Sequence, residues 1–333
     1  MVMNTPEGTC HLKDGSMHEH RMGDYLTKST TVAPQASAYP LWDKFLDRIT
    51  ASDVEMQRYL QRVVGYCLSG DISEHVLFFL YGTGANGKGT FTNTLLRIFG
   101  DYAQTAAMEV FTENTNDRHP TDIAALRGAR LVVASETEAG KRWAESRIKM
   151  LTGGDPVRAR FMHCDEFEFI PAFKLMIQGN HKPGLRSVDV AMRRRLHLLP
   201  FVVTIPEEER DTKLTEKLKQ EWPAILQWAI DGCLAWQREG LNPPPLVRDA
   251  TDEYFRTEDA ILRWLDEQCI VSPQAGSTKA SELYKNYKTW AEQTGEFCLN
   301  QKRFGQELQD HGFKSYQSNG VRYEGINLVA VEK

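Results

Sequence analysis

The sequence predicts an α/β fold with a central parallel sheet, a small helical subdomain ahead of it and a C-terminal winged helix-turn-helix domain behind it. Three observations carry this expectation. The runs "VLFFLY" (76–81), "RLVVAS" (130–135), "KLMIQG" (174–179) and "LHLLPFVV" (196–203) are short and almost wholly apolar. They lack the alternation of a half-exposed antiparallel strand and suit parallel strands buried on both faces. They also alternate with helical stretches, which is the order of a layered α/β core. Finally, the chain beyond "GLNPPPLV" (240–247) reads as three amphipathic helices and a hairpin.

Taken in order, residues 1–40 are polar, rich in Thr, Gly and His, and offer only weak strand-like fragments, so a polar and flexible tail is expected. Cys10, His11, His18 and His20 are metal-binding residue types, but their spacing matches no common zinc finger. Residues 41–75 form the helical subdomain. Leu41, Phe45, Leu46 and Ile49 share one helical face, and Tyr59, Leu60, Val63, Val64 and Cys67 share another. Residues 76–240 hold the α/β core, with helical patterns from about 206 to 236. Consecutive prolines cannot continue a helix, so 241–256 is expected to be a linker. The module at 257–333 begins with a helix carrying Ile261, Leu262, Trp264 and Leu265. A second helix carries Leu283, Tyr284, Tyr287 and Trp290. Asn300 is placed to cap a third, which buries Phe304 and Leu308, and Asn319-Gly320 marks a hairpin turn.

Composition narrows the function classes. The 333 residues are 41% hydrophobic and 26% charged, with a formal net charge of −5, as in an ordinary globular protein. No global basic field exists, so any nucleic-acid contact must come from local patches. The six cysteines are scattered singly without a C-x-x-C pair, which fits reduced thiols and a cytoplasmic location. No apolar run approaches the roughly 18 residues of a membrane span, so no membrane partner is expected.

Chemistry concentrates in "YGTGANGKGT" (81–90). Gly82, Thr83, Gly84, Ala85, Asn86, Gly87 and Lys88 have P-loop spacing between a buried strand and an amphipathic helix. The glycines let successive N–H groups face phosphate oxygens, the helix adds its positive end, and Lys88 reaches the β- and γ-phosphates. The hydroxyl that usually binds Mg²⁺ would stand at 89. That residue is Gly89, which leaves Thr90 as the nearest candidate. Glu136 follows the second core strand and is the expected water-polarising and Mg²⁺-facing carboxylate, with Glu138 as a helper. Asn180 ends the third strand, where an amide can hold the water or sense the γ-phosphate. Arg193, Arg194 and Arg195 precede the fourth, and one of them, with Arg194 and Arg195 favoured, suits an arginine finger offered to a neighbouring subunit.

These segments in order resemble the phage/plasmid primase–helicase family, which are superfamily 3 AAA+ helicases related to the poxvirus primase-helicase. The resemblance rests on "YGTGANGKGT", on "RLVVASETEAGKRWAESRIKMLTGGDPVRARF", on "FKLMIQGNHKPGLRSVDVAMRRRLHLLPF" and on "DEYFRTEDAILRWL". Lys149 to Arg160 is its most specific stretch. It covers nearly the whole chain and includes no primase or polymerase domain, which a longer protein or a partner would supply. It implies an AAA+ core with ATP and Mg²⁺ as cofactors, and a homo-oligomer, hexameric rings being the family's habit, that translocates 3′ to 5′ on single-stranded or forked DNA in phage, prophage or plasmid replication. It further implies a DNA-holding hairpin at 157–170, with Arg158, Arg160 and His163 as phosphate contacts.

In the C-terminal module, Lys302 and Arg303 near the start of the third helix are candidate DNA contacts, with Arg322 on the wing. Basic and acidic residues nearly balance there, so the electrostatic footprint is weak. A second function class therefore stands beside the motor: an ATP-binding replication-initiation or assembly protein that marks DNA without separating strands.

Overall fold

The computed structural model describes residues 1–113, 121–135, 140–186 and 188–329. The chain opens as an antiparallel meander of β1 (Val2–Thr5), β2 (Gly8–His11) and β3 (Ser16–His18). This corrects the flexible tail expected of residues 1–40. Met3, Cys10 and Leu12 are fully buried in the main core, and the polar residues that disguise the strands are satisfied locally, as where Thr5 Oγ1 donates to Gly8 O at 2.8 Å. Among the described residues no group of three or more His, Cys, Asp or Glu side chains is arranged to hold a metal.

Helices α1 (Pro40–Ile49) and α2 (Val54–Ser69) follow. Pro40 opens α1 at a position where its missing N–H costs nothing. No local side chain caps this helix. Glu221, far along the chain, accepts instead from Leu41 N at 3.0 Å and Trp42 N at 2.9 Å. Trp42, Phe45, Leu46 and Ile49 face the core, so Trp42, not Leu41, is the deepest anchor of the predicted face. Its ring stacks on Phe91 at 5.7 Å and meets Trp228 edge-on at 5.6 Å.

The α/β layer then runs through β4 (Leu77–Tyr81), α3 (Lys88–Phe99), β5 (Ala103–Ala107), α4 (Thr121–Ala124), β6 (Leu131–Ser135) and α5 (Glu145–Gly153). An excursion, β7 (Val157–Arg160) and β8 (Glu166–Phe169), precedes β9 (Lys174–Gly179), α6 (Val190–Arg193) and β10 (Leu196–Pro200). Helices α7 (Leu214–Leu218), α8 (Trp222–Glu239) and α9 (Pro245–Glu258) complete this part. The sheet is five-stranded in the order β10-β4-β9-β6-β5, and every pairing is parallel. The four apolar runs supply four of its strands. The fifth, β5, is "AQTAA", whose small and polar residues give no apolar run.

Two glycines let α2 and α8 touch through their backbones. A Cβ on Gly65 would stand 2.0 Å from Cys233 N, and one on Gly232 would stand 2.1 Å from Gln61 O. A glycine inside a helix costs about 0.5–1 kcal/mol relative to alanine, and here the close approach requires it.

The expected linker at 241–256 is largely α9. Proline is tolerated in the first turn of a helix, and Pro245 occupies that turn. Val247, Ala250, Tyr254 and Phe255 of α9 are buried. The chain divides into two compact units, the first comprising Met1–Gly184 and Asp189–Asp252, the second Leu185–Val188 and the residues from Glu253 on. The division thus falls inside α9 and not at the prolines.

The second unit contains α10 (Ala260–Gln268), β11 (Cys269–Val271), β12 (Ser277–Lys279), α11 (Ala280–Thr294), α12 (Gln301–Asp310), β13 (Ser315–Gln317), β14 (Val321–Glu324) and β15 (Ile326–Leu328). Asn300 Oδ1 accepts from Arg303 N at 3.0 Å and caps α12. Asn319 and Gly320 take positive φ at the β13–β14 turn, as the Asn-Gly pair requires. The short β11 and β12, unforeseen in the sequence, pair with β15 and β14. Trp264, Tyr287 and Phe304 meet at the centre of this unit's own core. Among the described residues no helix is long and apolar enough to cross a membrane.

Two stability predictions follow from this packing. Gly65→Ala and Gly232→Ala each force α2 and α8 apart and are expected to cost about 3 kcal/mol, the upper part of the overpacking range, read from the denaturation midpoint. Burial also holds the His197 imidazole at about 4, below its ordinary 6.5, and its Nδ1 lies 2.5 Å from the Tyr59 hydroxyl. A depressed histidine favours the folded state fully above about 6.5 and loses that support as pH falls toward 4. Acid unfolding should therefore steepen in that window, and His197→Gln should flatten it.

Candidate functional site

A parallel sheet delivers the loops that follow its strands to one rim. The loops after β4, β9 and β6 therefore converge, with β9 between the other two. The glycine-rich loop 82–87 leaves β4 there and is clamped on both sides. On the β10 side, Phe201 N donates to Tyr81 O at 2.8 Å, Asn86 Nδ2 donates to Phe201 O at 2.8 Å, and Ile205 N donates to Ala85 O at 2.9 Å. A Cβ on Gly82 would stand 2.1 Å from Phe201 O, and one on Gly87, at φ +87°, would stand 2.5 Å from Ile49 Cγ2. These two glycines are required by space. Gly84 and Gly89 face open space.

Lys88 begins α3 and is largely buried. Its Nζ donates to Gly82 O at 2.6 Å and to Asn180 Oδ1 at 3.2 Å. Burial pushes this ammonium below the ordinary lysine range. Both partners are neutral acceptors, so among the described residues no carboxylate hydrogen-bonds this ammonium at the mouth of the loop, and a phosphate is the kind of group that site favours. Asn180 thus stands beside Lys88 at the end of β9.

A polar relay beneath them has no counterpart in the sequence reading. Thr92 Oγ1 lies 3.2 Å from Gln178 Oε1, and Gln178 Nε2 donates to Ser135 Oγ at 2.7 Å. The relay ties α3 to the ends of β9 and β6. Gln178 is a polar residue that directly follows the apolar "LMI" of β9, the signal that could have found it. Thr90 is half-buried one residue past Gly89. Glu136 and Glu138 lie outside the described residues, directly after Ser135.

The arginine cluster occupies the opposite rim. Leu196 pairs with Leu77 and Pro200 with Tyr81, so Arg193, Arg194 and Arg195 flank the start of the strands while the glycine-rich loop flanks their end. Five residues at 3.3 Å each separate the two by about 16 Å. The three arginines also differ. Arg195 is buried, its Nε bonded to Thr152 Oγ1 at 3.1 Å and its Nη1 to Ala191 O at 2.8 Å. That placement corrects Arg195 to a structural residue. Arg193 pairs with Asp252 at 3.1 Å. Arg194 is exposed. Lys149, in the specific stretch of the sequence, pairs with Asp189, which caps α6 by accepting from Met192 N at 2.7 Å.

The expected hairpin is present as β7 and β8, joined in antiparallel register from Val157↔Phe169 to Arg160↔Glu166. His163 sits at its tip with φ +59°, beside exposed Phe161 and Met162. Arg158, an expected phosphate contact, is exposed and lies 3.8 Å from Glu166 and 3.4 Å from Glu168. Arg160 is exposed. In the second unit, Lys302 is exposed on the first turn of α12, Arg303 lies 3.8 Å from Glu307, and Arg322 Nε donates to Ser277 Oγ at 3.0 Å.

With this geometry, comparison with known proteins is informative. Residues 1–51 match a family described as D5 N terminal like, and residues 80–195 match a family of unknown function, DUF5906. A putative helicase of Acanthamoeba polyphaga mimivirus is 26% identical over 297 residues, covering 83% of this chain and 31% of that protein. A putative helicase of Frog virus 3 is 27% identical over 266 residues, covering 72% of this chain and 26% of that protein. Primase D5 of Fowlpox virus is 26% identical over 158 residues, covering 46% of this chain and 20% of that protein. The chain thus spans a third or less of the length of these relatives. The apo structure of the NrS-1 C-terminal region superposes with a TM-score of 0.57 at 12% identity, over 89% of this chain and 77% of that one, which shows a shared α/β fold. In its D5-like N-terminal segment, in the relatives named as helicases and a primase, and in this shared fold, the chain is similar to primase–helicase proteins.

Proposed function

We propose that the protein is an ATP-dependent, ring-forming DNA helicase of the superfamily 3 AAA+ type, acting in phage, prophage or plasmid replication. The observation that carries this is Lys88, held at the mouth of a clamped glycine-rich loop by the Gly82 carbonyl and bonded to Asn180 from the neighbouring strand. The backbone amides of 83–88 and Lys88 bind the nucleotide's phosphates. Asn180 orients Lys88 and faces the attacking water, which Glu136 polarises. Bound Mg²⁺ would neutralise charge on the β- and γ-phosphates, and Thr90 and Glu136 are the residues to hold it.

Arg194 supplies the transition-state charge to the next subunit. The separation of about 16 Å along the strands keeps it from its own loop, so a single chain holds half of two sites. This supports a closed homo-oligomer, for which a hexamer is the family's form. Single-stranded DNA is held through Arg160 and His163 of the β7–β8 hairpin. The second unit, with the helix and strand order of a winged helix, offers Lys302 and Arg303 to duplex or forked DNA. A primase or polymerase domain belongs on a longer chain or a partner.

A second reading is favoured by one observation. The hairpin carries Arg158 and Arg160 against Asp165, Glu166 and Glu168, and Arg158 is already paired, a poor footprint for a DNA-gripping element. An ATP-ordered initiation protein that binds DNA without separating strands fits that charge. Unwinding of forked DNA, assayed beside duplex binding, decides between them: binding without ATP-dependent strand separation rejects the helicase.

Lys88→Ala is expected to abolish nucleotide binding and hydrolysis, measured by nucleotide titration and phosphate release. Thr90→Ala should leave nucleotide binding and cut Mg²⁺-dependent turnover severely. Arg194→Ala should keep nucleotide binding and lower hydrolysis roughly 10³- to 10⁵-fold, the worth of an arginine finger. Mixing it with Lys88→Ala should restore part of the activity, because one interface then has both intact halves. Full activity in Arg194→Ala alone would reject the shared site.

A further inference from the structure

The stretch 241–256, which the sequence offers as a mere linker, builds a cleft beside the arginine cluster. Helix α9 is tied at one point to β10, the edge strand of the sheet, and at another to the end of α6. Leu198 N donates to Thr251 Oγ1 at 3.0 Å, and Arg193 pairs with Asp252 at 3.1 Å. Val247 is buried beneath the same helix. Arg248 stands three and four residues before those anchors, on the same face of the helix.

The cleft so formed has a volume of about 260 Å³ and is lined by Arg193, Arg194, Arg248, Thr251 and Asp252. Its acid, Asp252, is engaged by Arg193. Arg194 and Arg248 are exposed, and neither has a salt-bridge partner among the described residues. An adjoining cleft shares Arg248 and Pro243 and adds Arg58 and Arg62 against Glu55 and Glu239, where Arg62 is paired with Glu239 at 3.6 Å. Positive charge therefore exceeds negative charge on this rim of a chain whose net charge is −5. Two like charges facing one cleft repel unless an anion lies between them, and the two arginines come from separate elements that the Arg193–Asp252 pair locks together.

We propose that Arg248 is a second catalytic arginine, which with Arg194 grips the terminal phosphate of the nucleotide bound at the glycine-rich loop of a neighbouring copy. The proposal rests on the reading that Arg194 completes the neighbour's site. Water attacks the γ-phosphorus, the bond to the β,γ-bridging oxygen breaks, and ADP and phosphate leave. Arg248 forms no bond to the substrate beyond its hydrogen bonds and offsets charge on the phosphate oxygens.

The test measures ATP hydrolysis by Arg248→Ala, Arg248→Gln and Arg194→Ala, alone and mixed with Lys88→Ala, with nucleotide affinity and particle mass followed in parallel. Arg248→Ala is expected to bind nucleotide within about twofold of wild type, to assemble, and to hydrolyse roughly 10- to 1,000-fold more slowly. Lys88→Ala should restore part of its activity, since the loop of one variant then meets the arginines of the other. A residue acting within its own subunit gives no such rescue. Rescue of Arg194→Ala without rescue of Arg248→Ala overturns the proposal and leaves the shared site standing. So does hydrolysis by Arg248→Ala within twofold of wild type while Arg194→Ala is inactive. If Arg248→Ala does not assemble, Arg248→Gln, which keeps much of the stem without the charge, decides: full activity overturns the proposal, and rescuable loss upholds it. Full activity in Arg194→Ala instead rejects the reading beneath it.

Discussion

The clamp on the glycine-rich loop is the constraint on which the rest of the structure depends. Residues 82–87 are pinned by the extension of β10 through Phe201 and Ile205 and by α1 through Ile49. Neither clamp is local. The β10 clamp needs the parallel register that brings Pro200 beside Tyr81. The α1 clamp needs the helix to be seated, which in turn needs Glu221 at its N-terminus and Trp42 between Phe91 and Trp228. Glu221 lies immediately before α8, which approaches α2 closely enough to forbid side chains at Gly65 and Gly232. The helical layer thus acts as a backing plate for a loop whose own sequence is mostly small residues. Such a loop is preorganised, and preorganised amides bind a charged group without paying to reorient.

Much of this architecture is legible in the sequence, for physical reasons. Strands β4, β6, β9 and β10 are largely buried on both faces, so their residues are mostly apolar. Asn300 and Asn319-Gly320 act through their own backbone neighbours, which makes cap and turn readable from spacing alone. What escaped reading depends on distant partners. The meander buries only a few apolar residues among satisfied threonines, and β5 is made of alanine, glutamine and threonine. Helix α9 hides behind prolines that a helix accepts in its first turn. Within the site, Lys88 and Asn180 follow from motif order, whereas the Thr92–Gln178–Ser135 relay joins three elements and has no local signature. Arg195 looks like its neighbours in sequence, and only its bond to Thr152 distinguishes it.

Charge is distributed with the same economy. Among the described residues Lys88 bonds only neutral partners, backbone carbonyls and an amide. Arg193, Arg158 and Lys149 are each matched by a carboxylate, so they hold elements in place more than they attract ligands. Exposed pairs of this kind contribute little stability, about 1 kcal/mol or less. Their value is geometric: Asp189 caps α6 while holding Lys149, and Asp252 fixes Arg193 to α9, which leaves Arg194 presented between two anchored neighbours.

Strand polarity gives this arrangement its consequence. In a parallel sheet all strands begin on one rim and end on the other, so a loop that follows β4 and arginines that precede β10 must lie at opposite ends, however adjacent the two strands are. No side-chain rotation bridges that length. A chain with this order of motifs can join the two chemistries only by apposing the rim of one copy to the opposite rim of another. On the proposed reading, assembly is therefore a requirement of the catalytic chemistry itself, written into the direction of β4 and β10 before any contact between subunits is considered.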